Sequence, residues 1–210
     1  MNKQLIFWSG LIGVFLFASA SIMGGQQIEG YSPISQYISE SYATGVPNSN
    51  YLRYMYMASG VLLSLFALTA PSRMPKSGMV KTGFVLFAIF YGMGTIVTGF
   101  FPCDLGCPSE VNDLSISQFI HNTVGFLTYA FVPICLIGLG ISFRRFSSTK
   151  SLGGFSLLCG MIALVFVILL FGNPTGPLIG IIQRVIEISI LAWVIYCSFF
   201  IVRNSKEQMP

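Results

Sequence analysis

Few side chains in this chain can do acid–base or ligand chemistry, and they are unevenly spread. His121 is the only histidine among 210 residues. Arg184 and Glu187 stand three residues apart in an otherwise apolar run, with Gln183 beside them and Gly180 one turn earlier. Two of the five cysteines lie four apart in Phe101-Pro102-Cys103-Asp104-Leu105-Gly106-Cys107-Pro108. A single histidine excludes bis-histidine haem ligation and a three-histidine zinc centre. Cys103, Asp104, Cys107 and His121 contain no ligand pair of standard zinc spacing, so neither a metal nor a cofactor is expected. The residue types do permit a catalytic set: His121 as general base, Asp104 orienting it, and Ser39 or Ser117 as nucleophile. No G-x-S-x-G motif accompanies them. Asp104 and Glu187 could instead act as a carboxylate pair.

The elements that carry these residues follow from composition. Only 9% of the residues are charged and 54% are hydrophobic, where a soluble domain carries about 25% charged residues. A soluble enzyme, a disordered chain and a secreted disulfide scaffold are excluded. A membrane helix needs roughly 20 mostly apolar residues, and six stretches qualify, at about 4–24, 52–70, 79–101, 117–142, 152–172 and 177–202. The expected fold is all-α: a single-domain, six-helix transmembrane bundle. Asn173-Pro174-Thr175-Gly176-Pro177 makes a turn between the last two spans, with Pro177 suited to the first position of the helix that follows. Lys3, the apolar stretch from Leu5 and Ala18-Ser19-Ala20 also fit a secretory signal peptide. Because the apolar stretch continues to Met23, a retained helix is expected.

Lysine and arginine orient the bundle. Lys3, Arg73, Lys76, Lys81, Arg144, Arg145, Lys150, Arg203 and Lys206 fall on one side, which places both termini in the cytoplasm of a multi-pass cell-membrane protein. Glu29, Glu40, Asp104, Glu110, Asp113 and Glu187 fall toward the other. The net charge of +4 is then a topology signal, and no nucleic acid partner is needed.

The outer face has the longer loops. In the first, Ser32 can cap a helix with Pro33 at its first position, and Gly45 can end it. Ile34, Tyr37, Ile38 and Tyr42 form one apolar face. A short amphipathic helix is expected there, lying in the interface or folded over the bundle; its tyrosines also fit an aromatic belt. In the second loop, Cys103 and Cys107 could close a small disulfide loop, or stand as a reactive pair. Cys135, Cys159 and Cys197 read as packing residues.

Within the spans, Ser117, His121, Gly125 and Thr128 share one helical stripe, and Tyr91, Thr95 and Thr98 share another. Gln183, Glu187, Gly180 and Arg184 cover about 100° of a helical wheel. An unpaired intramembrane arginine is costly, so that stripe is expected to face inward, paired within itself or with another carboxylate. It reads either as a structural ion pair or as a clamp for an anionic group such as phosphate or carboxylate. Together these stripes would line an outward-facing polar cavity closed by Ser39 and Glu40.

Ile38-Ser39-Glu40 followed by Gly45 and Pro47, then Phe101-Pro102-x-Asp104, then His121 one turn into the next helix, resembles the prokaryotic membrane family catalogued as domain of unknown function 998. Arg184 in the last helix fits the same pattern, and the likeness covers nearly the whole chain. It implies six spans and no settled activity; Cys103 and Cys107 stand outside the pattern. A more distant similarity is to FRAG/DRAM/Sfk-type membrane proteins, which carry an Ile-Ser-acid segment before a Gly and a Pro. That similarity implies lipid or lipid-anchor handling by analogy alone.

Three functional expectations follow. The first is binding or handling of a lipid or small amphiphile, with Arg184, Glu187, Gln183, Glu40, Thr95, Thr98 and Ser117 lining the site. The second is an intramembrane lipid hydrolase or transferase using His121 and Asp104. The third is a scaffold or sensor with no ligand site. The bilayer is the only partner expected outright; no protein partner is identified.

Overall fold

The structure, a computed structural model, describes residues 2–108 and 114–203. It is all-helical among those residues. Six helices are long and apolar enough to cross a membrane. They are α1 (Lys3–Gln26), α2 (Ser49–Thr69, continued by a 3-10 turn over Ala70–Arg73), α3 (Gly78–Phe100), α4 (Ile116–Phe143), α5 (Lys150–Gly172) and α6 (Ile179–Arg203). Each lies within three residues of the stretch expected from hydropathy. Helix α6 starts at Ile179, so Pro177 sits before the helix and belongs to the turn from Asn173.

Helices adjacent in sequence pack against each other, and α1 closes the ring against α6. Short connections make neighbours antiparallel. Arg53 near the start of α2 donates to the Gly99 (2.9 Å) and Phe100 (3.0 Å) carbonyls at the end of α3. A cation is thereby placed at the negative end of a helix dipole. Lys3, Arg73, Lys76, Lys81, Arg144, Arg145, Lys150 and Arg203 collect at the end of the bundle with short connections; the longer loops, with Arg53 and Arg184, occupy the other, here termed the loop end. Glu110, Asp113 and Lys206 lie outside the described residues.

The two halves of the ring differ. At the basic end the centre is filled by aromatic rings. Trp193 of α6 lies 5.0 Å from Phe87, 5.6 Å from Phe84 and 6.4 Å from Phe66 between centroids. Its indole N–H donates to Ser156 Oγ at 2.8 Å, so this buried polar group is satisfied. Outward-facing apolar side chains remain uncovered; Phe15 is 67% and Ile188 64% exposed. Exposed apolar surface of this kind suits a hydrocarbon surrounding. Toward the loop end, α3 passes through a π-helical segment, Ala88–Met93. Such widened turns are rare and are often found at functional sites. Gly60 of α2 packs so closely there that a Cβ would come within 2.6 Å of the Gly92 carbonyl oxygen.

The first loop is not one continuous amphipathic helix from Pro33. Ser32 closes a single turn, its carbonyl accepting from Gln36 N–H at 2.9 Å. The helical part is a five-residue 3-10 helix, Ile38–Tyr42. This segment pairs instead with α6, whose Arg184 side chain and Ile181 N–H donate to the Pro33, Gln36 and Ile34 carbonyls.

Candidate functional site

Arg184 attaches this loop to the bundle. Its Nη1 donates to the carbonyls of Pro33 (2.8 Å), Gln36 (3.0 Å) and Gly180 (3.0 Å). Nη2 donates to the Tyr31 hydroxyl at 2.7 Å, which donates in turn to the Tyr37 carbonyl at 2.8 Å. All these partners are neutral. Among the described residues the expected pairing of Arg184 with Glu187 or another carboxylate is not seen; loop carbonyls and the Tyr31 hydroxyl take its Nη donors instead. Gly180 makes the approach possible: a Cβ there would fall 2.5 Å from both the Pro33 and Gln36 oxygens. Tyr37 adds a bond from its hydroxyl to the Pro174 carbonyl at 2.7 Å, joining the first loop to the α5–α6 turn. Burial, and secondarily the charge of Glu40, pushes the Tyr37 phenol up to about 12. Burial also raises Tyr31, against the opposing influence of Arg184. Glu40 does not face the cavity interior. Its carboxylate accepts from Tyr37 N–H and Gln36 Nε2, both at 2.8 Å, and knits residues 31–42, a strap across the loop end, to itself.

Beneath the strap lies a buried network. Ile38 N–H donates to Gln183 Oε1 at 2.7 Å, and Gln183 Nε2 donates to the Tyr129 hydroxyl at 2.9 Å. Tyr129 donates to Glu187 Oε1 and Tyr91 to Oε2, each at 2.7 Å. Glu187 is about 12 Å along α6 from its first residue, at a rise of ~1.5 Å per residue. Tyr91 comes from the π-helical segment and Tyr129 from α4, so three helices meet at one carboxylate.

A cavity of about 470 Å³ occupies this half of the ring. It runs from the exposed Phe126, Phe171 and Pro174 to the buried Tyr56, Tyr91 and Glu187. Thr95, Thr98, Gln183, Ser39 and His121 also line it. A second cavity of about 490 Å³ lies between α1 and α6. Its walls include Phe17, Ala18, Ile22, Ile188 and Leu191, with Gln26, Tyr31 and Arg184 at the loop end. Phe17, Ile38 and Glu187 line both.

The residues of the proposed catalytic set are apart in function. His121 Nδ1 lies 2.9 Å from the Phe101 carbonyl, which can only accept, so Nδ1 carries the proton. Asp104 turns away and holds Ser115, the residue that caps α4: its carboxylate accepts from Ser115 Oγ (2.7 Å) and Ser115 N–H (3.2 Å). Ser117 donates to the Pro102 carbonyl at 2.6 Å. The Ser39 hydroxyl lies 3.3 Å from Cys107 Sγ. Cys103 and Cys107 are joined as a disulfide, with Cα atoms 5.1 Å apart. Thr95 donates to the Tyr91 carbonyl (2.7 Å) and Thr98 to the Thr95 carbonyl (3.2 Å). Among the described residues no group of three His, Cys, Asp or Glu side chains could hold a metal ion.

Tyr31, Tyr42, Tyr56 and Tyr129 were missed as site residues. Their signal is weak, because a tyrosine in an apolar run reads equally well as core or interface. A census of tyrosines on the spans would have pointed to Tyr56 and Tyr129, but not to Tyr31 and Tyr42 in the first loop.

Fold and site together define a polytopic helical membrane protein with a buried polar cavity in one half of the bundle. Residues 11–199 match the family model described as Protein of unknown function (DUF998), and the chain belongs to that family. No curated protein and no solved structure matches it.

Proposed function

We propose that this protein binds or handles a lipid or small amphiphile bearing an anionic group, from the outer leaflet of the cell membrane. The observation that carries the reading is the second cavity. Apolar walls along α1 and α6 suit an acyl or alkyl chain, and Arg184 stands at the end nearest the loops. A guanidinium has five N–H donors in a planar fork. Carbonyls and Tyr31 engage Nη1 and one side of Nη2, leaving donor capacity for a phosphate or carboxylate. The loop end is assigned to the outer side by the basic residues gathered at the opposite end. His121, Asp104, Ser39 and Ser117 each have partners other than one another, which favours binding over hydrolysis.

The test is mass spectrometry of protein purified gently from native membranes. A retained anionic amphiphile enriched over the bulk lipid is expected, lost in Arg184→Gln and partly kept in Arg184→Lys. A lipid profile identical to the surrounding membrane, or unchanged retention in a folded Arg184→Gln protein, would overturn the reading.

A further inference from the structure

We infer that the cavity above Glu187 is a binding site for an organic ammonium group. This goes beyond the amphiphile reading and does not depend on Arg184 holding an anion. Gln183 Oε1 accepts from the Ile38 N–H, so its Nε2 faces Tyr129. Tyr129 has one proton, and with Gln183 donating to its oxygen that proton points to Glu187. Tyr91 supplies a second donor to the other carboxylate oxygen. Tyr129 thus donates to one oxygen of Glu187 and the Tyr91 phenol can donate to the other, an arrangement that an acceptor-only carboxylate can use in full. Each of its oxygens keeps a further lone pair.

Among the described residues no cation is hydrogen-bonded to Glu187. Arg184, one turn away, directs its Nη groups to the loop carbonyls and Tyr31 instead. His121 lines the same cavity, but its Nδ1 is bonded to the Phe101 carbonyl and not to Glu187. A lone carboxylate inside a membrane protein is costly and marks a functional position unless something positive meets it.

The walls indicate which cation fits. Tyr37, Tyr42, Tyr56, Tyr91 and Tyr129, with Phe17, all line the space. A hard metal ion takes six or more oxygen ligands in close array, whereas aromatic rings around one carboxylate suit a weakly hydrated alkylammonium, held by cation–π attraction. The volume, about 470 Å³, accommodates such a head with a short substituent. The exposed Phe126, Phe171 and Pro174 at one side give it a way in.

The experiment uses the full chain in nanodiscs of phosphatidylglycerol, a lipid with no ammonium group. Calorimetric titration compares choline with its uncharged isostere, in which carbon replaces nitrogen. Saturable choline binding is expected, with the isostere weaker by about tenfold or more. Glu187→Gln should abolish the difference, with folding checked by thermal melting. If that variant does not fold, the choline-against-isostere comparison on the unmodified protein decides alone. Equal binding of the isostere, no saturable choline binding, or choline binding unchanged in folded Glu187→Gln overturns the inference. Retention of an anionic amphiphile is measured separately on protein purified from native membranes, so failure here leaves the Arg184 reading standing, and the converse.

Discussion

Glu187 is held by two phenol donors, Tyr91 of α3 and Tyr129 of α4, and each can be removed singly. Tyr129→Phe takes a partner from both Glu187 and Gln183 Nε2 without changing ring packing. Leaving buried polar groups unpaired costs about 1–3 kcal/mol, and a fall of that size in unfolding free energy is expected in a denaturant titration in detergent. Asp104 makes a contrasting case. Its carboxylate holds Ser115, the residue that caps α4, so Asp104→Ala should lower stability by about 1 kcal/mol, the usual net worth of such hydrogen bonds. Tyr37 provides a pH test. Its folded-state phenol is raised from 10.0 to about 12 by burial, so the unfolded chain ionises first. The stabilisation is complete below pH 10 and is lost as pH rises toward 12. Tyrosinate absorbance should show late ionisation that moves earlier in Arg184→Gln, where the strap is released.

Among the elements, the strap formed by residues 31–42 and the first two turns of α6 act as one unit. Gly180 is the position where they touch, and Gly180→Val would drive a side chain into the Pro33 and Gln36 carbonyls. The expected result is faster amide hydrogen exchange confined to residues 31–42, with the helical content of the six spans retained. Uniform protection loss across α6 would mean instead that the helix itself is disrupted. The π-helical segment of α3 is a second element with a positional role. It sits where Tyr91 reaches Glu187 and where Gly92 meets α2. A regular α-helical turn would rotate one of these contacts away from its partner.

For the whole molecule, the basic residues at one end make a directional claim that can be read in intact cells. A membrane-impermeant thiol reagent should label Ser35→Cys, at the loop end, and not Ser72→Cys, in the α2–α3 connection. Both positions are exposed. The native cysteines interfere little: Cys135, Cys159 and Cys197 are buried, and Cys103 is bonded to Cys107. Reverse labelling would invert the assignment of the cavity to the outer leaflet. The ring also explains why one molecule holds a rigid half and a hollow half. Large rings around Trp193 fill the centre at the basic end, whereas glycines, threonines and tyrosine hydroxyls toward the loops leave space.

The six spans were legible because a run of about 20 apolar residues is a local property of the chain, decided by the thickness of the hydrocarbon it must cross. The same holds for the turn at Asn173 and for the family resemblance. The placement of Thr95, Thr98, His121, Gln183 and Glu187 around one cavity was also legible, from helical stripes alone. The partners were not. Arg184 meets carbonyls 148 and 151 residues away, and Glu187 meets phenols 58 and 96 residues away. Backbone carbonyls are present at every position and phenols at nine, so residue type could not say which would answer a charge. Only the closing of the ring brought particular ones within hydrogen-bond reach, sending the arginine to the strap and leaving the glutamate to tyrosines.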